Sequence, residues 1–205
     1  MKIVSALIAL LNVTTCLGQT DSSASVIFFE NFDNNTNNWT VADNKNVRSK
    51  IEAGIYYLTA TGHAYGEAQD IKIDTRKNFQ IEARIKIVSG NTEHKDYYSM
   101  IFWGREAMNG HYFTFSGDGF ASVQVCTGKN QNSCVTKKGS LQKTILMPEA
   151  FNVYRIRKTG NKYEFLVNGE LIYTMPFTPF FGNLLGFGAG RKISLAIDYL
   201  KVVYL

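Results

Sequence analysis

Six side chains in this chain of 205 residues have the types and spacing to build a binding site. Tyr65 and Glu67 fall in the glycine-bounded segment Thr61-Gly62-His63-Ala64-Tyr65-Gly66-Glu67. Trp103, Arg105, His111 and Tyr112 surround the loop from Gly104 to Gly110. Flat rings beside carboxylate, guanidinium and imidazole groups suit a ligand with apolar C–H faces and hydroxyl edges, since rings take the faces and polar groups take the edges. The chain holds 11 Tyr, 14 Phe and 2 Trp, more than a core of this size needs. Catalytic groupings are harder to assemble. Glu67 and Asp70 are an odd number of residues apart, so a regular strand turns them to opposite faces and Glu67 would act alone. His63 sits in the first glycine-bounded loop, His94 in the polar stretch from Gly90 to Asp96, and His111 at the start of a strand. No Gly-x-Ser-x-Gly turn presents a serine nucleophile beside them.

The elements that must position these residues are strands, because the dominant hydrophobic period is two. Phe79, Ile81, Ala83, Ile85 and Ile87 alternate with Gln80, Glu82, Arg84 and Lys86, and Tyr163, Phe165 and Val167 alternate with Lys162, Glu164 and Asn168. Ile193, Leu195, Ile197 and Tyr199 alternate with Ser194, Ala196 and Asp198. Turn chemistry agrees: Ala53-Gly54, Asp118-Gly119, Thr159-Gly160-Asn161 and Asn168-Gly169 each separate two such runs. Asn168-Gly169 is the strongest signal, since both central residues of that turn need positive φ. About a dozen antiparallel strands are predicted, enough to require two packed sheets or a closed barrel. Met147 to Asn152 is the sole candidate for a helical turn. Val26–Phe29 and Ile193–Val203 are apolar enough to be central and are expected to pair. Trp39 reads as a core plug after the first strand. Trp103 alternates with Ile101 and faces either core or rim; Tyr112 faces outward if Phe113 and Phe115 are core.

The N-terminus carries Met1-Lys2 and then an apolar run, Ile3–Leu11, too short to cross a bilayer of about 30 Å. Cys16 and Gly18 occupy signal-peptidase positions, so residues 1–18 read as a signal peptide, 19–25 as a flexible leader and 26–205 as one domain. Two alternatives stand beside this: a lipobox-like Val13-Thr14-Thr15-Cys16 with lipid on Cys16, and an uncleaved anchor. No other stretch is fit to cross a membrane. The chain is therefore read as secreted, or held at the cell surface or in the periplasm. Cleavage leaves Cys126 and Cys134, an even pair flanking the polar loop Thr127–Ser133; in an exported chain they are expected to form a disulfide across a hairpin. The formal charge is +5, with its densest runs at Lys137-Lys138 and Arg155-Ile156-Arg157-Lys158. Alternation puts Arg155 and Arg157 on one strand face, which reads as a solvated face rather than a nucleic-acid surface. Asn34-Asn35-Thr36 and Asn38-Trp39-Thr40 are sequons that matter only in a eukaryotic secretory route.

Taken in order, several segments resemble concanavalin A-like lectin/glucanase domains. They are Phe29-Glu30-Asn31-Phe32-Asp33 with Asn37-Asn38-Trp39; the hairpin Lys50–Tyr56; Asn78-Phe79-Gln80-Ile81-Glu82; Phe102-Trp103-Gly104-Arg105 with Asn109–Phe113; Ser116–Gly119; Phe165–Gly169; Leu185–Gly188; and Ile197–Val202. The resemblance implies an all-β, two-sheet antiparallel sandwich of jelly-roll type with one convex and one concave sheet. It further implies glycan binding on the concave face or loop rim, through Tyr65, Glu67, Trp103, Arg105, His111 and Tyr112. The nearest flavour is the 3-keto-disaccharide hydrolase-type and related exported bacterial modules, so a glycoside-active enzyme is one alternative and a protein-binding adhesion or scaffold domain another. The Glu-x-Asp-x-x-Glu pattern of laminarinase-type members is absent from the 17 acidic residues. Calcium is common in this fold, with Asp33, Asn35, Asp198 and the Asp43-Asn44 pair as candidate donors; no other cofactor is expected. Oligomeric state is left open.

Overall fold

The computed structural model describes residues 24–90, 99–106, 109–128, 134–144, 147, 150–179 and 182–205. The expected signal peptide, most of the leader, His94 and part of the Met147–Asn152 segment lie outside them. The described residues form sixteen strands in two antiparallel sheets and no helix. The first sheet holds β1 (Ser25–Glu30), β2 (Ala42–Asp43), β3 (Val47–Glu52), β4 (Ile55–Ala60), β6 (Phe79–Ser89), β12 (Asn152–Thr159), β13 (Lys162–Val167), β14 (Glu170–Pro176) and β16 (Ser194–Tyr204). Its order is β14-β13-β12-β6-β16-β4-β3-β2, with β1 also on β16. The second sheet holds β5 (Tyr65–Asp70), β7 (Ser99–Glu106), β8 (Asn109–Phe115), β9 (Phe120–Thr127), β10 (Cys134–Thr136), β11 (Gln142–Lys143) and β15 (Leu184–Ala189). Its order is β10-β9-β8-β7-β15-β5, with β11 also on β9. The expected jelly-roll sandwich is the fold observed.

The period-two pattern sets which side chains fill the interior. Phe79, Ile81, Ala83 and Ile85 of β6 are buried, as are Tyr163, Phe165 and Val167 of β13, while the residues between them face outward. The second sheet answers with Ile101, Trp103, Phe113, Phe115, Val123, Leu185 and Phe187. Trp39 closes one side: its ring stacks 5.6 Å from Phe187, and its Nε1 donates to Glu30 Oε2 at 2.9 Å, so the buried carboxylate is satisfied. Asn168 and Gly169 both take positive φ (50° and 88°), the geometry a two-residue hairpin with matching twist demands.

Two expectations about the ends need correction. The chain termini do pair, β1 on β16, but only β16 is central; β1 touches no other strand. The alternation read through Tyr199 also breaks. A bulge between Ile197 and Tyr199 adds a residue and shifts the phase, so Leu195 and Ile197 point inward, then Leu200 and Val202. Tyr199 consequently faces out, and its hydroxyl donates to Glu82 Oε1 at 2.7 Å.

That outer face of the first sheet is a lattice of paired charges. Glu82 also accepts from Arg155, Arg84 binds Asp198 at 2.5 Å, Arg157 donates to Gln80 Oε1 at 3.1 Å, and Lys162 binds Glu164 at 2.6 Å. The arginines that sequence placed on one face are thus compensated where they stand. Across the sandwich, Cys126 and Cys134 face each other on β9 and β10 and form the expected disulfide. No helix among the described residues is long and apolar enough to cross a membrane.

Candidate functional site

The hairpin β7–β8 puts residues 102 and 112 opposite each other, and residues 103 and 111 likewise. Adjacent residues of a strand point to opposite faces, so one pair goes in and the other goes out. Trp103 and His111 go in: both are buried in the core, with ring planes only 9° apart at 5.2 Å. His111 Nε2 shares a hydrogen bond with Thr178 Oγ1 at 2.9 Å. Burial, with a smaller push from Lys137, lowers the His111 pKa to about 4, so the ring is neutral near pH 7.

Phe102 and Tyr112 go to the opposite face, where they are still largely covered, 9% and 8% exposed. Their rings meet at 5.1 Å and join Cys126, Met100, Leu184 and Ala68 in a second, smaller apolar cluster on the outer face of the second sheet. Glycines make room for it. Gly104 and Gly110 sit directly opposite each other, and a Cβ on either would come within 3.0 Å both of Phe102 Cε2 and of backbone. Phe102 therefore lies down over two residues without side chains. Beside it, Gly186 and Gly188 of β15 and Gly66 of β5 continue the bare strip. A Cβ on Gly186 would stand 1.9 Å from the carbonyl oxygen of Glu67, so the close β5–β15 approach depends on that glycine.

Above this strip lies a cavity of about 520 Å³, walled by Met100, Phe102, Tyr112 and Leu184, floored by Gly66 and Gly188 and bordered by the β5 strand. Its volume falls in the range of small-molecule sites. The Glu67 side chain turns to the other side of β5, where Oε1 accepts from Thr40 Oγ1 at 2.9 Å and from Thr40 N at 3.3 Å, and Oε2 accepts from the Tyr65 hydroxyl at 3.0 Å. Burial and the neighbouring Glu67 charge raise the Tyr65 pKa, so the phenol stays protonated and donates.

The structure thus parts the expected residues: Tyr112 stands on the outer face of the second sheet, while Tyr65 and Glu67, opposite Ala189 and Phe187 in register, turn their side chains to the core side and border the cavity only along the β5 strand. Trp103 and His111 are on the core side of the same hairpin because of strand alternation. Arg105 is exposed at the end of β7 and does not line the cavity. Sequence reading passed over Phe102, Met100 and Leu184; the spacing Gly186-Phe187-Gly188 opposite Gly66 was the available signal. His63 is exposed in its loop.

Four of the expected calcium donors have partners within the protein. Asp33 accepts from Asn31 Nδ2 at 2.5 Å, Asp198 binds Arg84, Asn35 caps Trp39 N at 2.8 Å, and Asn44 Oδ1 accepts from Asn46 N at 2.9 Å. No group of three His, Cys, Asp or Glu side chains converges among the described residues.

Two antiparallel sheets in this order, with one outer face bare enough to hold a cavity, form a jelly-roll sandwich. No family model matches the sequence. Nor does any curated protein. Solved structures match in fold. The β-glucanase of Bacillus licheniformis aligns with a TM-score of 0.63 at 12% identity, covering 90% of this chain and 100% of that one. The catalytic domain of the Thermotoga petrophila endo-1,3-β-glucanase (laminarinase) aligns with a TM-score of 0.60 at 12% identity, over 88% of this chain and 97% of that one. The carbohydrate-binding module CBM66 of Bacillus subtilis aligns with a TM-score of 0.50 at 12% identity, over 81% and 92%.

Proposed function

We propose that the chain is an exported carbohydrate-binding domain that takes a poly- or oligosaccharide on the outer face of its second sheet. The observation that carries this reading is the cavity of about 520 Å³ in which Phe102 and Tyr112 lie beside a glycine floor. A flat apolar floor with adjoining rings suits a pyranose face. Fold relatives whose names include β-glucanases and a carbohydrate-binding module support the same class of ligand. The Cys126–Cys134 disulfide and the leader-like first residues support export.

Binding is favoured over cleavage. Glycoside hydrolysis generally needs two carboxylates about 5–10 Å apart across the scissile bond. Among the described residues, Glu67 is the one acidic residue bordering the cavity, and its carboxylate is turned to the core side of β5.

Affinity electrophoresis through gels containing soluble polysaccharides, β-1,3-glucan among them, tests the proposal. Retarded migration is expected on at least one polymer. Tyr112→Ala should weaken it about tenfold, the scale of one lost ring contact, while circular dichroism still reports the β-sandwich. Unretarded migration of folded protein on every polymer would overturn the reading.

A further inference from the structure

We infer a second binding site, on the opposite outer face, that takes an acidic saccharide bearing carboxylate or sulfate groups. A depression of about 450 Å³ opens there over β2, β3, β4 and the start of β16. Strand register builds it in two rows. Asp43, Arg48, Thr59 and Ser194 stand opposite one another in sequence across the four strands, and Lys50, Tyr57 and Ala196 form the next row. Ser194 of β16 and Thr59 of β4 line it with hydroxyls, beside Arg48, Lys50 and Tyr57.

Charge bookkeeping separates this end of the first sheet from the rest of the same face. Over β6, β12, β13 and the middle of β16 the cations are matched: Arg84 with Asp198, Arg155 with Glu82, Arg157 and Lys162 with Glu164. Around the depression they are not. Lys50 binds Glu52 at 2.6 Å, but Arg48, Lys86, Arg191 and Lys192 have no anionic partner among the described residues. Lys86 lies just beyond Ala196 in the Lys50–Tyr57 row. The Arg191–Lys192 turn is tied to this end by Lys192 N donating to Ala60 O at 2.7 Å. Unmatched cations around a concavity draw in an anionic ligand and hold it.

The remaining groups say what carries the anion. Thr59 and Ser194 share one hydrogen bond at 2.8 Å, so of their two hydroxyl protons one remains to donate outward. Asp43, opposite Arg48 yet not ion-paired with it, offers acceptors to hydroxyl groups. Tyr57 presents a half-buried ring with the Lys50 ammonium 5.3 Å from its centroid. Hydroxyls for Asp43, a ring for Tyr57 and an anion for Arg48 are combined in a uronate or a sulfated sugar, whereas a DNA strand offers the anion and the ring without the sugar hydroxyls.

The test titrates the full chain with an oligogalacturonate, a sulfated oligosaccharide, a neutral β-glucan oligomer and single-stranded DNA, reading backbone amide shifts by NMR. Shifts from an acidic sugar are expected at residues 42–50, 57–59 and 194, and should fade with added salt. Arg48→Gln should weaken binding about tenfold, as expected for one charge-assisted contact, and Tyr57→Ala should weaken it by a similar factor. Arg157→Gln, which removes a cation already matched, and Tyr112→Ala, which alters only the first cavity, should leave it unchanged. Three results would overturn the inference: equal losses from Arg48→Gln and Arg157→Gln, DNA binding at least as tight as either acidic sugar, or shifts confined to the Phe102–Tyr112 cavity. Failure of the neutral-glycan reading leaves this site standing, because its variants and probes are separate.

Discussion

The hairpin β7–β8 carries two aromatic pairs at consecutive register positions, and they have opposite fates. Trp103 over His111 is pressed against the first sheet and shielded from solvent; Phe102 over Tyr112 is laid on glycines and borders a cavity. The residue types barely distinguish the pairs. What separates them is the neighbour across the face: a second sheet of large side chains inside, and a strip of Gly66, Gly104, Gly110, Gly186 and Gly188 outside. A ring becomes core or contact surface according to what its neighbours lack.

Breaking the inner pair should cost most. Trp103→Ala removes a fully buried indole and should lower unfolding free energy by about 4 kcal/mol, read by urea denaturation. A loss below about 1 kcal/mol would mean the inner stack is not part of the core. The inner pair also predicts a pH effect. His111 has its pKa lowered from 6.5 to about 4, so the unfolded chain binds a proton that the folded chain refuses. Its contribution is whole above pH 6.5 and is lost as pH falls toward 4, by about 3 kcal/mol at most. His111→Phe should flatten stability across that window; an unchanged slope would refute the assignment.

The outer pair should respond in binding more than in folding, through the Tyr112→Ala loss already described. Furthest from both pairs, Glu82→Gln breaks the contacts to Arg155 on the outer face of the first sheet. About 1 kcal/mol of stability should go, with glycan retention intact. Lost retention in that variant would show that the two outer faces are not independent.

Much of the fold was legible because period two and turn chemistry are local. Phe79 to Ile85 reads as half-buried from its own residues, and Asn168-Gly169 announces its hairpin. The bulge after Ile197 was not legible, because an inserted residue changes phase without changing composition. The site was half legible. Tyr112 outward followed from Phe113 and Phe115 inward, but the side of Trp103 depended on that hairpin's place in the sheet. Phe102 escaped notice because its role comes from Gly104 and Gly110, and an absent side chain announces nothing by itself. Setting the outward glycine of β5 beside the Phe102–Tyr112 pair required β15 to insert between β5 and β7, a pairing between segments far apart in sequence, and the same pairing turned Tyr65 and Glu67 to the core side.

The bare strip has a bearing on how this surface diversifies. At Gly104, Gly110 and Gly186 even a methyl group would run into main chain, so the strip beneath and beside Phe102 cannot be redecorated one substitution at a time. At Gly66 and Gly188 an added methyl meets only an ordinary contact or the flexible Met100 side chain, so divergence in ligand preference among descendants of this sequence must arise at those two positions and at the walls, at Met100, Phe102, Tyr112 and Leu184.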